Sequence, residues 1–335
     1  LGYQNVFLTS DVLNSSSKRP TIWMTPTSFT LDMVNVYGGN PLELVEKALQ
    51  KIPQNYAAHD HLFSAFYRET IQKKKRYIGI SEAVLDAYKT DYKMRDISHD
   101  RAQILRGRRL QSQKSSDTLA VKIAGGPNMP VFLDVVKNGE DILNVNMFHC
   151  YRFAMQIPMS IDDRMQYVVA FEPRVILDYP LYRGLLYIDQ KTLAITRAEF
   201  QLDMSDEEKS ARFILRKKPL GLRFKLQEVS YLVTYRYQDG KSYLNYLRNT
   251  IRIKCDWKKR LFSSTFTTST EMVMVDRNDR PEERIRMKDA FKQRDVFYDV
   301  VEEYWNEDFW KDYNIIEPTE SLESAVKKLK KQNQK

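Results

Sequence analysis

Hydrophobic and polar residues alternate over long stretches in the second half of the chain. The alternation has the two-residue period of a β-strand with one buried face, and the stretches are rich in β-branched and aromatic residues, which favour strands. Asp239-Gly240 separates two of these stretches, and Asp-Gly in such a position indicates a tight β-hairpin. The pattern predicts antiparallel strands at Tyr182–Asp189, Thr192–Leu202, Leu222–Tyr237, Lys241–Asp256 and Leu261–Val275.

The same alternation predicts further strands in the first half of the chain. The run Arg76–Tyr88 fits a helix as well as a strand, and Arg95–Asp117 is a basic, polar strand between loops. Strands of about a dozen residues are roughly twice the usual length, and such strands twist into a curved sheet. The predicted strands of this half are His61–Gln72, Arg76–Tyr88, Arg95–Asp117, Phe148–Ile157 and Gln166–Phe171.

Helical periodicity marks the remaining segments. Asn40 can cap the first helix, Pro41 suits its first turn, and Ser321 can cap the last helix. The predicted helices are Pro41–Ile52, a short one at Pro130–Lys137, residues 282–313 with their many aromatic side chains, and Ser321–Gln334. Strands and helices together predict an α+β protein, a large, curved, half-barrel-like antiparallel sheet with helices packed on it.

The first 37 residues have a different character. They contain short strand fragments, among them Thr21–Met24 and Phe29–Tyr37, and a few short strands are unlikely to bury a core alone. Gly38-Gly39-Asn40 follows as a hinge. The sequence therefore predicts a partial β-sandwich module at residues 1–37 and an α+β domain at residues 38–335.

Charge and composition narrow the class of partner. The chain has 53 basic and 44 acidic residues and a net charge of +9, which permits attraction to anionic surfaces such as lipid. No zinc finger, recognition helix or aromatic-basic RNA motif occurs, so nucleic acid is not a predicted partner. No run of about 18 apolar residues occurs, so no transmembrane helix is expected. The printed sequence, which begins at Leu1, shows no signal-peptide pattern.

The two cysteines, Cys150 and Cys255, both lie in apolar, strand-like surroundings. We expect buried free thiols. The sequence leaves a disulfide between them open, because it gives no distance between the two residues.

No complete catalytic or metal-binding motif is present. His59 and His61 are two positions apart, so on a strand they would face the same way and could ligate zinc. No third ligand is identifiable, and neither HExxH nor paired CxxC occurs. The acids between Glu302 and Asp308, with Trp305 and Trp310, could form a carbohydrate or acid–base site. The alternative is a helix whose aromatic residues cover the sheet and whose acids face water. A nucleophile elbow and a phosphate loop are both missing.

One face of the predicted sheet is the remaining candidate site. Aromatic and aliphatic side chains alternate along two neighbouring strands, and an incompletely covered face of this kind would be a groove for acyl chains or a partner segment. If helices cover the face, the same residues are core. The predicted ligand-binding residues are Tyr231, Val233, Tyr235, Tyr243, Leu247 and Ile251.

Two blocks of sequence resemble a known family. The run PLELVEKALQKIPQNY (Pro41–Tyr56), followed by FYRETI and ISEAVLDAYK, resembles the carboxypeptidase-regulatory-like family of Gram-negative, Bacteroidetes-type envelope proteins, as does the closing FWKDYNIIEPTESLESAVKKLKKQ (Phe309–Gln332). The resemblance implies that residues 1–37 are the last strands of an immunoglobulin-like domain, and it implies no peptidase activity. The stretch Gly184–Leu202 is also similar to a hairpin of lipoprotein-carrier and sorting proteins, whose curved sheet forms a half-barrel over a helix.

These observations predict a protein without enzymatic activity, metal or cofactor. We expect an exported protein of the periplasm or outer membrane that binds a lipid, a glycolipid or an envelope protein on its curved sheet. One alternative is a peptide or glycan hydrolase that uses His59, His61 or the Glu302–Asp308 acids. A purely structural tethering domain is the other alternative.

Overall fold

The computed structural model describes residues 37–112, 126–140, 142–214, 222–257, 263–306 and 326. By its contacts the chain divides between Val36 and Tyr37, and the described residues all belong to the second unit. The predicted immunoglobulin-like strands before Tyr37 and nearly all of the predicted helix Ser321–Gln334 lie outside the described residues, so both stay predictions.

Ten strands form one antiparallel sheet in the described part of the chain, and few helices accompany it. The strands are β1 (His61–Lys73), β2 (Arg76–Lys89), β3 (Arg101–Gln111), β4 (Tyr151–Ile161), β5 (Arg164–Pro173), β6 (Tyr182–Asp189), β7 (Ile195–Leu202), β8 (Leu222–Gln238), β9 (Lys241–Trp257) and β10 (Ser264–Asn278). The helices are α1 (Pro41–Gln50), α2 (Ile52–Asn55), α3 (Met129–Phe132), α4 (Glu207–Ile214) and α5 (Phe297–Val300). Short 3-10 turns occur at Gly126–Asn128, Val145–Cys150 and Val301–Tyr304.

The strand order across the curved, open sheet is β3-β2-β1-β10-β9-β8-β7-β6-β5-β4. Strands that are consecutive in sequence pair with each other, except that β3 and β4 lie at opposite edges of the sheet, and β10 pairs with both β1 and β9. The predicted hairpin at Asp239-Gly240 is confirmed. Both residues have positive φ, at 52° and 80°, as the two central residues of a type I′ hairpin turn require.

Most predicted elements are confirmed with shifted ends, and one is wrong. The run Arg76–Tyr88 is a strand, and the basic strand is shorter than predicted, at Arg101–Gln111. The helix predicted for residues 282–313 is wrong in its described first half, where residues 279–296 form loops and turns. Phe291 is buried there as a single anchor, and its backbone N–H donates to the Ala102 carbonyl at 2.7 Å. A loop can bury single apolar side chains such as Phe291 without forming a helix with a continuous apolar face.

The two faces of the sheet differ. On one, which we call the core face, side chains such as Tyr67, Leu85 and Leu247 pack against α1, α2 and the segments that join β3 to β4. The start of α1 is as predicted, because the Asn40 side chain accepts a hydrogen bond from the Leu42 backbone at 3.0 Å. We call the opposite side of the sheet the outer face.

Candidate binding site

The residues predicted to form a groove lie mostly in the core. Val233, Tyr235, Tyr243 and Leu247 belong to the main hydrophobic cluster, and Ile251 belongs to a second one. All five are buried. The helices α1 and α2 and the β3–β4 segments pack against the main cluster, whereas Ile251 packs with residues such as Leu226, Val229 and Phe266. A ligand would reach these five only by displacing core side chains. These five residues therefore belong to the hydrophobic core, as the alternative interpretation of the sequence stated. Their part in ligand binding stays a prediction.

Tyr231, the sixth predicted residue, has a different position. It is half-buried and stacks on Phe200, with the ring centroids 4.9 Å apart and the planes at 22°. Phe200 and Tyr231 alternate with Glu199 and Leu232, so both rings lie on the core face, and their backbones border a depression on the outer face that spans β4 to β9. The depression has a volume of about 550 Å³, within the range of sites that hold small ligands.

The floor of this depression is one row of side chains on the outer face. Pairing in register brings together one residue from each strand, so the row runs across the strands and not along the sequence. Strands lie about 4.8 Å apart, so a row over four intervals is roughly 19 Å long. From β4 to β8 its members are Ala154, Ala170, Leu185, Glu199 and Leu232. The row is apolar except for Glu199.

Glu199 has its own partners within the sheet. It forms an ion pair with Arg197, and the Tyr187 hydroxyl donates to its Oε1 at 3.3 Å. Its negative charge is therefore compensated from within the sheet, next to the apolar row.

Three exposed arginines, Arg152, Arg183 and Arg248, stand around the apolar row. Arg183 pairs with Asp203 at 2.7 Å, and Arg152 lies 3.5 Å from Glu172. Arg248 continues the row directly after Leu232, and among the described residues it has no ion-pair partner. A guanidinium in this position can bind a carboxylate or phosphate in a bidentate manner.

The sequence contains an indication that the outer face binds something, and simple alternation of apolar and polar residues does not reveal it. Leu185 and Leu232 each stand next to a core-facing residue, Leu186 and Val233, so their strands are apolar on both faces. A strand that is apolar on both sides indicates that its second face is also used. The arginines carry no such signal, because their proximity depends on strand pairing.

His59 and His61 do not form the predicted pair of ligands. His59 precedes β1, so the alternation of a strand does not apply to it; it is about half-exposed and lies 3.3 Å from Asp279. His61 is fully buried, and burial lowers its pKa to about 4. Within the described ranges, no three His, Cys, Asp or Glu side chains are placed to hold a metal ion.

The acids predicted for a hydrolase site are placed only in part. Glu302 pairs with Arg109 of β3 at 2.7 Å, whereas His59 and His61 lie at the start of β1, so the described acids and histidines do not meet in one cleft. Glu307, Asp308 and Trp310 lie outside the described residues. The prediction for the cysteines is confirmed, since Cys150 and Cys255 are buried free thiols.

A buried ionic cluster on the core face is structural. The Lys89 ammonium forms ion pairs with Asp100 at 2.7 Å and with Asp134 at 3.0 Å, and Tyr92 and Tyr235 donate to Asp134 at 2.5 and 2.8 Å. Burial works against the charge on Lys89, but the two carboxylates raise the pKa of this lysine above its usual value. All three charged side chains are fully enclosed, so the cluster ties the β3–β4 segments to the sheet and offers no access to a substrate.

Comparison with known proteins shows no family. No protein-family model and no curated protein matches the chain. A solved outer membrane lipoprotein-sorting protein domain from Vibrio parahaemolyticus is similar at 12% identity over 75% of this chain and 97% of that one, with a TM-score of 0.33. A DUF1329 family protein from Desulfovibrio piger has 11% identity over 73% and 95% of the two chains, with a TM-score of 0.31. MucB has 12% identity over 68% and 92%, with a TM-score of 0.24.

Similarities of this size carry no weight for fold or function. The resemblance to the carboxypeptidase-regulatory-like family stays a prediction. No helix in the described ranges has both the length and the apolar character needed to cross a membrane.

Proposed function

We propose that the chain is a binding protein for an amphiphile with an anionic headgroup, and that the depression on the outer face is its site. One observation carries the proposal: a row across five strands, apolar except for Glu199, ends at an arginine without an ion-pair partner among the described residues. The sequence predicted a lipid-like ligand, and the proposal specifies an amphiphile with an anionic headgroup. The site lies on the opposite face of the sheet from the side chains predicted for it.

The apolar row suits an acyl chain. Leu185 and Leu232 are only partly covered, and each methylene that leaves water contributes about 0.8 kcal/mol. The row is continuous from strand to strand, since its residues are paired in register, and its length of roughly 19 Å suits an extended chain. An acyl chain along the row would place its headgroup at Arg248.

The proposal describes a protein without catalytic activity that works in the cell envelope. The described acids and histidines do not converge in the depression, whose lining contains no histidine. This favours binding over the hydrolase alternative.

Native mass spectrometry of the protein from its own envelope fraction, with lipid extraction, tests the proposal first. Calorimetric titration with dodecyl phosphate, a single-chain anionic amphiphile, then tests the site. We expect Arg248→Gln to weaken binding about tenfold, because a hydrogen bond to a charged group contributes about 1.5 kcal/mol or more. We expect Leu232→Asp to abolish binding, because a carboxylate would then lie in the apolar row.

Arg106→Gln is the matched control, because Arg106 is an exposed arginine of β3, far from the depression in the strand order. Unfolding curves show whether each variant is folded. A bare chain mass, together with equal dodecyl phosphate binding by the folded Arg248 and Leu232 variants and the wild type, would contradict the proposal.

A protein partner is the second candidate, and the edge strand β4 favours it. The other edge strand, β3, carries four arginines, whereas β4 carries only Arg152 and leaves Ile157 88% and Met159 46% exposed. An edge strand with few charges is a template for strand addition, and Pro158 with the register shift between Gln156 and Met159 confines this template to Tyr151–Gln156. A photo-crosslinker at position 157 should give a defined adduct in envelope preparations, and a crosslinker at position 105 of β3 should not.

A further inference from the structure

A second charged surface lies at one end of the outer face. The β1–β2 turn, the beginning of β8 and the end of β9 lie close together there. Seven basic side chains of these segments are exposed. We call this surface the basic end; it consists of Lys74, Lys75, Arg76, Arg223, Lys225, Arg252 and Lys254.

Strand pairing concentrates these charges. Lys225 stands directly opposite Lys254, and Lys254 in turn is the neighbour of Thr265 in β10. The Thr265 carbonyl accepts a hydrogen bond from the Lys74 backbone at 2.7 Å, which brings the β1–β2 turn to the same place. Like charges directly opposite each other destabilise a sheet, so the pairing of Lys225 with Lys254 is unfavourable for stability alone.

Acidic neighbours compensate only part of the charge. Lys225 pairs with Glu207 at 2.8 Å, Arg252 lies 3.3 Å from Glu228, and the exposed Asp256 stands directly opposite Arg223. Lys254 has no ion-pair partner among the residues that the structure describes. A surplus of cations on an exposed surface attracts an anionic partner.

The basic end is continuous with the depression. A second hollow of about 350 Å³ shares Arg183 and Gln201 with the depression and is also lined by Met204, Glu228 and Val229. Glu228 is the partner of Arg252. A path along the outer face therefore leads from the apolar row to the basic end.

We propose that the basic end docks on a bilayer with anionic headgroups, so that an amphiphile passes between the bilayer and the depression along this path. The proposal rests on the proposed function for its cargo, but docking can be measured without it. A bilayer fits better than a nucleic acid, because the basic end is continuous with an apolar row that suits an acyl chain.

Co-sedimentation with vesicles tests the docking. The wild type should bind phosphatidylcholine vesicles that contain phosphatidylglycerol, and it should bind phosphatidylcholine alone weakly. Lys225→Gln with Lys254→Gln should weaken binding to the anionic vesicles about 25-fold, because each basic side chain at such a surface contributes about fivefold. Added salt should weaken the wild type in the same direction.

Lys288→Gln with Lys292→Gln is the control. It removes the same charge from exposed lysines in the loop after β10, at the opposite end of the sheet, and should bind like the wild type. Equal loss in both double variants, equal binding to neutral vesicles, or tighter binding to a DNA oligonucleotide in the same buffer would overturn the proposal.

Failure of docking and failure of the proposed function are distinguishable. Leu232→Asp should lose dodecyl phosphate and keep vesicle binding. The Lys225 and Lys254 double variant should keep dodecyl phosphate binding in the absence of vesicles.

Discussion

Glu69 and His61 are enclosed on the core face and respond to pH in opposite directions. Burial, together with the charge of Asp299, raises the pKa of Glu69 to about 7, although a hydrogen bond from Tyr67 lowers it. Burial lowers the pKa of His61 to about 4, and nearby Lys89 and His59 lower it further. Each shift corresponds to about 3 kcal/mol between the two protonation states.

The direction of each pH effect on stability depends on whether the folded or the unfolded chain binds the proton more tightly. Folded Glu69 holds its proton above the pH at which the unfolded chain releases it, so its contribution to stability is lost as pH rises from 4.5 towards 7. Folded His61 resists protonation, so its contribution is lost as pH falls from 6.5 towards 4. Between pH 4.5 and 6.5 the two slopes oppose each other.

We therefore expect the Glu69→Gln variant to show the pH dependence of stability that His61 causes, because the opposing contribution of Glu69 is removed. The amide oxygen can still accept from the Tyr67 hydroxyl, and the variant should be about 3 kcal/mol more stable above pH 7. Its free energy of unfolding should fall steeply on acidification, whereas the contributions of the two groups nearly cancel in the wild type. Urea unfolding at a series of pH values measures this.

His61→Phe is the converse variant, because it keeps a ring among Phe63, Tyr92 and Tyr243. It should lose stability as pH rises from 4.5 to 7. Parallel pH profiles for the wild type and both variants would contradict the assignment.

At the scale of elements, the short helical segment that follows β10 depends on a glycine of β3. A Cβ on Gly107 would lie 2.8 Å from Val301 Cγ2 and 2.9 Å from the Val301 carbonyl oxygen. Arg109 fixes the same segment from β3, through the Tyr298 carbonyl and Glu302, both at 2.7 Å. The segment thus approaches β3 as closely as a strand without a side chain at position 107 allows.

Gly107→Ala should push the segment away from the sheet. We expect a loss of about 1–3 kcal/mol in the free energy of unfolding, as for overpacked cores, and faster amide exchange at residues 297–304. Gly38→Ala is the control, because nothing lies within 4 Å of its Cβ. Equal effects of the two changes would refute the role of close approach.

A row of alternating charges crosses the other half of the outer face. From β3 to β9 it consists of Arg108, Glu82, Arg68, Glu271 and Arg248. Glu82 is buried and accepts from Arg68 at 2.6 Å and from Arg108 at 2.5 Å. The row continues into the apolar floor of the depression, so the outer face changes from ionic to apolar between β9 and β8.

Glu82→Gln should cost about 3–5 kcal/mol, because it leaves two arginines around a neutral side chain in a buried place. Glu172→Gln removes the carboxylate of an exposed cross-strand pair on the same face, with Arg152, and should cost less than about 1 kcal/mol. Chemical denaturation of both variants compares them. A Glu82 variant as stable as the Glu172 variant would show that the buried row is not needed for the fold.

At the scale of the whole molecule, the sequence predicted those features that depend only on residues close together along the chain. Alternation and the Asp239-Gly240 turn are decided within a few residues, and the predicted strands of β6 to β9 match the structure closely. Which face is covered depends on the distant segments between β3 and β4, so Tyr235 and Leu247 could be assigned to core or groove from sequence with equal logic. The floor of the depression takes one residue from each strand, and no sequence spacing marks such a set.

The position of β10 has a consequence for the order of assembly. This strand comes last in the chain among the described strands, yet it lies between β1 and β9, with Leu62 opposite Asn278. A nascent chain that has emerged only as far as β9 holds two separate ribbons, one of three strands and one of six. Contacts this distant in sequence slow folding. Synthesis of β10 is therefore the step that joins the two ribbons, and until then the edges of β1 and β9 both need protection from other chains.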